Sequence, residues 1–264
     1  VATLLSDKLD IQVNNIVTDN SGRFLLLDTT FDGQSIILVN IYAPTKDDSS
    51  AQCDFIDFIH DTLIEYSDNN LFVGGDFNIC LEPDIDKKGG LVENQSRSAI
   101  KLIALQDDFN LIDIWRFLNP VSRRYTRREM CRGGLVQSRL DFWLVSSHLL
   151  YDFYTQDICP GIKTDHSLVS LQLKIKCTQQ KGRGFFKFNS TLLKDKAYTD
   201  KVKELIEAFK VTNGHELNKG LYWESLKSEI RGYTICYASA RAKKKREYED
   251  TLRNQLSHLE KHLS

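Results

Sequence analysis

The residues with the clearest chemical potential lie at 74–78, where Gly74, Gly75, Asp76, Phe77 and Asn78 close a short apolar run. Two glycines at a strand end let the backbone turn sharply and approach a ligand, and Asp76 and Asn78, two apart on an extended segment, face one side. The carboxylate can hold a hard divalent cation or a charged transition state, and the amide can donate to a phosphate oxygen without adding negative charge. The same five residues also suit a plain Asp/Asn turn. A second element is Thr164, Asp165 and His166, just before an alternating apolar stretch. Adjacent Asp165 and His166 can serve metal and base functions in one place, because an imidazole takes a proton from water near neutrality once another group fixes its tautomer. The candidate orienter is Asp141, within 138–146 (SRLDFWLVS), whose alternation sets Asp141 and Trp143 on one strand face. The plainer alternatives are a structural histidine and a salt-bridged strand aspartate. Residues 40–44 (NIYAP) put Tyr42 at a sheet rim, where its phenol either donates to a phosphate oxygen or caps the core; taken alone, the core is the simpler reading.

Arg123, Arg124, Arg127, Arg128, Arg132 and Arg139 fall within 17 residues that hold a single acid, Glu129. Gly133 and Gly134 are a turn signal, so the segment reads as a hairpin projecting arginines towards phosphates and narrow grooves, or as a solvated loop. The basic run 241–246 (RAKKKR) is a solvated helix face or a contact for nucleic acid or a partner. His258 and His262 stand four apart on an expected helix, but no acid or cysteine accompanies them at metal-site spacing, which favours a surface face.

Positioning such residues requires a sheet. Residues 23–28 and 35–43 read as strands joined through Asp32 and Gly33, a hairpin signal. Helical spacing follows at 51–66 through Phe55, Ile56, Ile59 and Leu63, then a short strand at 71–75 and a helix at 95–109 through Ile100 and Ile103. Strands are expected at 111–115, 139–145 and 169–175, the last alternating at Val169, Leu171, Leu173 and Ile175. This order fits a sheet-on-sheet core covered by helices. Residues 192–210 and 221–263 read as helices.

Composition bounds the class. The 264 residues are 41% hydrophobic and 27% charged, with four prolines, and no apolar stretch approaches the roughly 18 residues of a membrane span. Six scattered cysteines without a CxxC pair, including Cys53 and Cys80 as expected small buried hydrophobes, indicate reduced thiols and an intracellular setting. The net charge of −1 hides an asymmetry: residues 1–177 carry 17 basic against 25 acidic side chains, and the remainder 18 against 11. That shift, together with the polar, glycine-bearing stretch 177–184, places a boundary near 177–185. The first residue is Val1 and apolar sequence follows at once, the expectation for a fragment.

The ordered set NIYAP, GGDFN, SRLDFWLVS and TDHSLV across 40–169 resembles the endonuclease/exonuclease/phosphatase superfamily of DNase I-like metal phosphoesterases. Residues 17–24, 86–90, 138–146 and 182–193 are more specifically similar to the apurinic-type endonuclease domain, and the start of the connector towards the reverse transcriptase, in polyproteins of LINE-type non-LTR retrotransposons. The resemblance implies an α/β (α+β type) fold, a four-layer sandwich of two packed mixed sheets flanked by helices and lacking its first strands. On this reading residues 1–177 are the N-terminally incomplete phosphoesterase-like domain, 178–190 a linker and 191–264 a helical connector. It further implies Mg2+-dependent, or Mn2+-dependent, nicking of DNA, with Tyr42 on phosphate, Asp76 and Asn78 at the scissile group, and Asp141 holding His166 as general base. Asp165 and Asp76 would bind the metal, and Arg123, Arg124, Arg127, Arg128 and Arg132 would bind DNA. Partners would be DNA and a reverse transcriptase domain in cis, with action in the nucleus and no membrane. Relatives carry an asparagine strand and a glutamate metal ligand ahead of the position where Val1 stands, so weakened metal binding and impaired activity are expected. Two alternatives remain: a non-catalytic nucleic-acid-binding remnant, and a phosphoesterase of the same superfamily acting on lipid or inositol phosphates.

Overall fold

The computed structural model describes residues 1–45, 48–90, 95–161, 164–173, 186–213 and 218–263. The chain forms two compact units, Val1–Gln180 and Lys181–Leu263. The linker stretch 177–184 and the end of the strand expected at 169–175 lie outside the described residues.

In chain order the first unit holds β1 (Ile11–Thr18), β2 (Phe24–Phe31), β3 (Gln34–Tyr42), α1 (Ser49–Leu63), β4 (Asn70–Asp76), the single turn α2 (Pro83–Asp86) and β5 (Lys87–Lys88). There follow α3 (Arg97–Asp108), β6 (Leu111–Asp113), α4 (Ile114–Leu118), β7 (Arg127–Cys131), β8 (Gly134–Ser138), β9 (Asp141–Ser146), β10 (Phe153–Cys159) and β11 (Leu168–Leu173). Six strands make a mixed sheet in the order β1-β2-β3-β4-β9-β6, with β3 and β4 parallel and the other pairs antiparallel. The β2–β3 hairpin closes through Asp32 and Gly33, both at positive φ, the two-residue turn whose twist matches that of its strands. The parallel β3–β4 pair needs a crossover, and α1 supplies it.

Side-chain alternation divides the sheet into two faces. Leu26, Val39, Ile41, Val73, Phe142 and Leu144 point to one face and pack against Ile56, Ile59 and Leu63 of α1 and Leu102 and Leu105 of α3. Both helices begin at a side-chain cap: Asp48 accepts from the Ala51 N–H at 2.9 Å and Ser96 from the Ala99 N–H at 3.1 Å. The other face carries Leu38, Phe72, Trp143 and Val145, which pack with Ile114 of α4 and with Leu171 and Leu173 of β11, so the β10–β11 ribbon forms a second sheet layer. Gly74 is required here because the Trp143 ring lies over it: a Cβ would sit 2.4 Å from that ring.

Several elements differ from the sequence expectation. The strand expected over 111–115 stops at Asp113, whose carboxylate accepts the Arg116 N–H at 3.1 Å and starts α4, so Ile114 and Trp115 are helical. Strand β1, with the mostly exposed pattern of an edge strand, and β10 were not expected as strands, since neither segment of the sequence alternates cleanly. Cys53 is buried, whereas Cys80 is only half-buried.

The second unit contains α5 (Lys196–Asn213) and α6 (Lys219–Leu263). Tyr198 is buried among Tyr233 and Tyr237 and shares a hydrogen bond of 2.7 Å with Thr234. Along the basic run of α6, Lys243 and Lys245 meet Glu247 and Glu249 one turn later, at 3.8 and 3.5 Å, the pairing of a solvated helix face. Of the pair His258 and His262, the side chain of residue 262 lies outside the described residues. Among the described residues, no helix is long and apolar enough to cross a membrane.

Candidate active site

Strand register assembles the site. Tyr42 at the end of β3 stands opposite Asp76 at the end of β4, and Asp76 stands opposite Asp141 at the start of β9. All three share the face of Leu38, Phe72 and Trp143, so the site begins where the second apolar layer ends. The carboxyl ends of two parallel strands are the usual place for a ligand site in a sheet of this kind.

His166 reaches the same point from the loop before β11. Its Nδ1 lies 2.9 Å from Asp141 Oδ2, and because a carboxylate only accepts, Nδ1 carries the proton and Nε2 is left as the basic nitrogen. The hydrogen bond to Asp141 is the main cause that lifts the imidazole above its ordinary pKa, with burial working against it. Donor atoms of Asp76, Asp141 and His166 all lie within 4.8 Å of one another. Burial first, and the neighbouring Asp141 charge second, push the Asp76 carboxyl up to about 6. Two carboxylates and an imidazole gathered this closely, with one acid raised by burial and by its neighbour, fit a divalent cation better than any neutral ligand.

The other expected residues take varied places. Tyr42 is 45% exposed, with the Arg23 guanidinium 5.2 Å from its ring centre, so its phenol does not cap the core. Asn78 lines the cavity with Asp76, but at φ 50 it stands in a left-handed turn and not on an extended segment. One of its amide hydrogens goes to the Ala43 carbonyl at 2.9 Å, and its backbone N–H donates to Asp76 Oδ1 at 2.9 Å. Asp165 also lines the cavity, yet its carboxylate stands outside the group of three, 3.7 Å from Arg127 Nε.

The arginine segment is a hairpin, β7 and β8 turning at Arg132 and Gly133, and β5 extends it to three strands. The hairpin docks on the histidine loop: the Arg128 N–H donates to the Asp165 carbonyl at 2.9 Å and the Ser167 N–H to the Thr126 carbonyl at 2.6 Å. Arg127 lines the cavity, 3.0 Å from Glu129. Arg132 is exposed at the hairpin tip. Arg123 donates to the Asp84 carbonyl, Arg124 to the Ile158 carbonyl and Arg128 to Ser167 Oγ. Arg139 does not belong to this surface. It is fully buried and holds Asp86 through Nε and Nη2, at 2.7 and 2.9 Å, which corrects its placement in the basic patch.

Two buried residues that sequence reasoning missed support the cluster. Thr126 Oγ1 accepts the backbone N–H groups of Leu140 and Asp141 at 2.9 and 3.0 Å, which fixes the start of β9. Gln52, on the apolar face of α1 one turn before Ile56, bonds to the loops that follow β3 and β4. A polar side chain inside an otherwise apolar helical stripe was the available signal for Gln52. Together the site residues line an open cavity of about 1350 Å3, roomy enough for an extended polymer segment.

The chain is similar to a transposon protein. It is 29% identical over 237 residues to the Transposon TX1 uncharacterized 149 kDa protein of Xenopus laevis, a match covering 88% of this chain and 17% of that protein. Among solved structures it matches the AP endonuclease LMAP of Leishmania major at 20% identity and a TM-score of 0.46, over 58% of this chain and 55% of that one. It also matches the endonuclease domain of TRAS1, a telomere-specific non-LTR retrotransposon, at 14% identity and a TM-score of 0.49, over 66% and 72% of the two chains. No protein-family model matches the chain.

Proposed function

We propose that the first unit hydrolyses phosphodiester bonds of DNA in a divalent-metal-dependent reaction, as the nicking endonuclease of a retrotransposon protein that carries a reverse transcriptase in cis. The observation that carries this reading is the row Tyr42, Asp76, Asp141 across three adjacent strands, completed by His166 on Asp141 and opening into a large cavity. The similarity to a transposon protein supports the biological setting. Arg127 and Arg132 on the hairpin favour a polyanionic substrate over a small phosphomonoester.

In this reading Asp141 holds the imidazole in one tautomer, and Nε2 of His166 takes a proton from the attacking water. The hydroxide oxygen bonds to phosphorus, the opposite P–O ester bond breaks, and the leaving oxygen takes a proton from solvent, with no covalent enzyme intermediate. Tyr42 donates to a non-bridging oxygen, and Asn78 orients the group through its remaining amide hydrogen. Asp76 would hold the cation, Mg2+ or Mn2+, which supplies charge neutralisation at the phosphate. A hard cation needs about six oxygen ligands, and one of the two carboxylates here is already engaged with His166, so water and substrate must complete the shell. Weak metal binding, and hence impaired turnover, follows for this chain.

The test is nicking of supercoiled plasmid over a series of Mg2+ and Mn2+ concentrations, with EDTA as control. Open circles that require millimolar metal are the expected result. Absence of nicking at every concentration, with a DNA gel shift that survives EDTA, would sink hydrolysis and leave the non-catalytic remnant in its place. Release of phosphate from a soluble inositol phosphate, with plasmid untouched, would redirect the site to small phosphoesters.

The pH dependence follows from the same pair. The imidazole keeps its proton above pH ~6.5 because its folded pKa is raised, so the basic form grows as pH climbs through that raised value. Below pH about 6 the Asp76 carboxyl is also increasingly protonated and less able to hold a cation. Nicking measured across roughly pH 5.5–9 should therefore rise and then level off, and a flat profile would remove His166 from the role of base. The stability term has the opposite sign: the His166–Asp141 bond contributes fully below the unfolded pKa and its contribution is lost as pH rises through the folded one.

A further inference from the structure

Three hydrogen bonds converge on a buried glutamine behind the catalytic row. Gln52 is 3% exposed, and its Nε2 donates to the Pro44 carbonyl at 2.9 Å and to the Asn78 carbonyl at 3.1 Å. Its Oε1 accepts from Ser98 Oγ at 2.8 Å, and Ser98, on α3, is fully buried. The crossover helix that joins β3 to β4 thus holds the loop after each strand from one side chain, and α3 locks the amide orientation. Asn78, seized by its carbonyl, sends its own N–H to Asp76 Oδ1, and its side chain bridges back to the Ala43 carbonyl. Asn78 stands at φ 50, a left-handed conformation that asparagine tolerates better than most residues. Gln52 is the contact on the carbonyl side of that turn.

We infer that Gln52 is a positioning residue: through Asn78 it sets the rotamer of the Asp76 carboxylate, and through Pro44 it ties the Tyr42 strand end to the same frame. The inference rests on the proposed reading for its effect on rate, but not for its effect on geometry. Asp76 accepts from the N–H of Asn78, and the carbonyl of the same residue is held from behind by an amide that donates twice. Methionine at 52 matches the volume of glutamine but donates nothing, so the Asn78 carbonyl is released while the packing of α1 is kept. Displacement of a reacting group by about 1 Å can cost on the order of a hundredfold in rate.

The experiment compares the full chain with Gln52→Met, Ser98→Ala and the double variant, reading amide hydrogen exchange by NMR beside plasmid nicking. In Gln52→Met, the Asn78 amide should exchange at least about tenfold faster, the scale of a lost hydrogen bond, while amides paired between β2 and β3 keep their protection. kcat should fall with KM little changed. Ser98→Ala should act in the same direction but more weakly, and the double variant should be no worse than Gln52→Met alone, since both disrupt one network. Unchanged exchange at Asn78 in Gln52→Met would overturn the inference, as would faster exchange spread evenly over the sheet. A parent chain that fails to nick would count against the proposed function alone, and the exchange data would still decide the role of Gln52.

Discussion

His166→Ala lowers the rate of plasmid nicking by about two to four orders of magnitude, the contribution a positioned general base makes to a hydrolysis. The geometry makes this the largest catalytic effect expected of any single side chain in the site. The imidazole is oriented by a 2.9 Å bond to Asp141, and Asp141 is fixed in turn by Thr126 on its backbone N–H and by register with Asp76. Asp141→Asn is the more discriminating variant. It keeps the shape and the backbone bonds, yet a carboxamide accepts less strongly than a carboxylate and can present its NH2 to the ring, which permits the wrong tautomer. Its rate should fall nearly as far as that of His166→Ala, and the pH profile should move to lower pH because the bond that raises the imidazole pKa is weakened. Since the two residues act as one unit, the double variant should be scarcely slower than the worse single one. Single-turnover nicking at saturating metal measures all three. A His166→Ala rate within threefold of the parent would remove proton abstraction by this imidazole from the reaction.

The sequence carried the identity of these residues further than their arrangement. Gly74 to Asn78 stood out because two glycines beside an acid at the end of an apolar run have few purely structural uses, and the hairpin at Asp32 and Gly33 is a local turn rule. Alternation likewise placed Asp141 and Trp143 on one face correctly. What local patterns do not encode is register between strands distant in sequence. That Tyr42, Asp76 and Asp141 stand side by side depends on pairing 42 with 76 and 76 with 141, and no window of residues contains that information. The contact that holds the Asn78 carbonyl was hidden because its donor, Gln52, lies 26 residues away on another element. Strand β1 escaped because an edge strand with one half-covered face loses the alternation that marks a buried one. Arg139 was the most instructive misplacement. Counted with its neighbours it looks like one more surface cation, but it follows β8 at the point where the chain enters the sheet, and there its guanidinium turns inward.

Arg139→Met should therefore be the most destabilising single substitution available near the site, costing about 3–5 kcal/mol, the range for breaking one side of a buried ion pair. Arg139 and Asp86 are both fully buried; Nη2 of the arginine also reaches Asp113 Oδ2 at 2.7 Å, and Arg116 shares Asp86 Oδ1 with Arg139 Nε. The guanidinium lies between the rings of Trp115 and Phe142, 5.5 and 5.1 Å from their centres. Burial lowers the affinity of the arginine for its proton, but Asp113 and Asp86 together outweigh it and hold the proton more tightly than in water. Removing the cation leaves two acids facing Arg116 alone, and one negative charge in the core without compensation. Methionine fills most of the space and packs against both rings, so the loss measured is chiefly electrostatic and not a cavity. Arg139→Lys keeps the charge but cannot grip Asp86 with a two-pronged fork, and should fall between parent and methionine. Urea denaturation of the full chain, followed by tryptophan fluorescence, gives the comparison. If the single methionine variant instead unfolds within about 1 kcal/mol of the parent, a surface-like value, the buried charges are being compensated by solvent, and this corner of the core is wet.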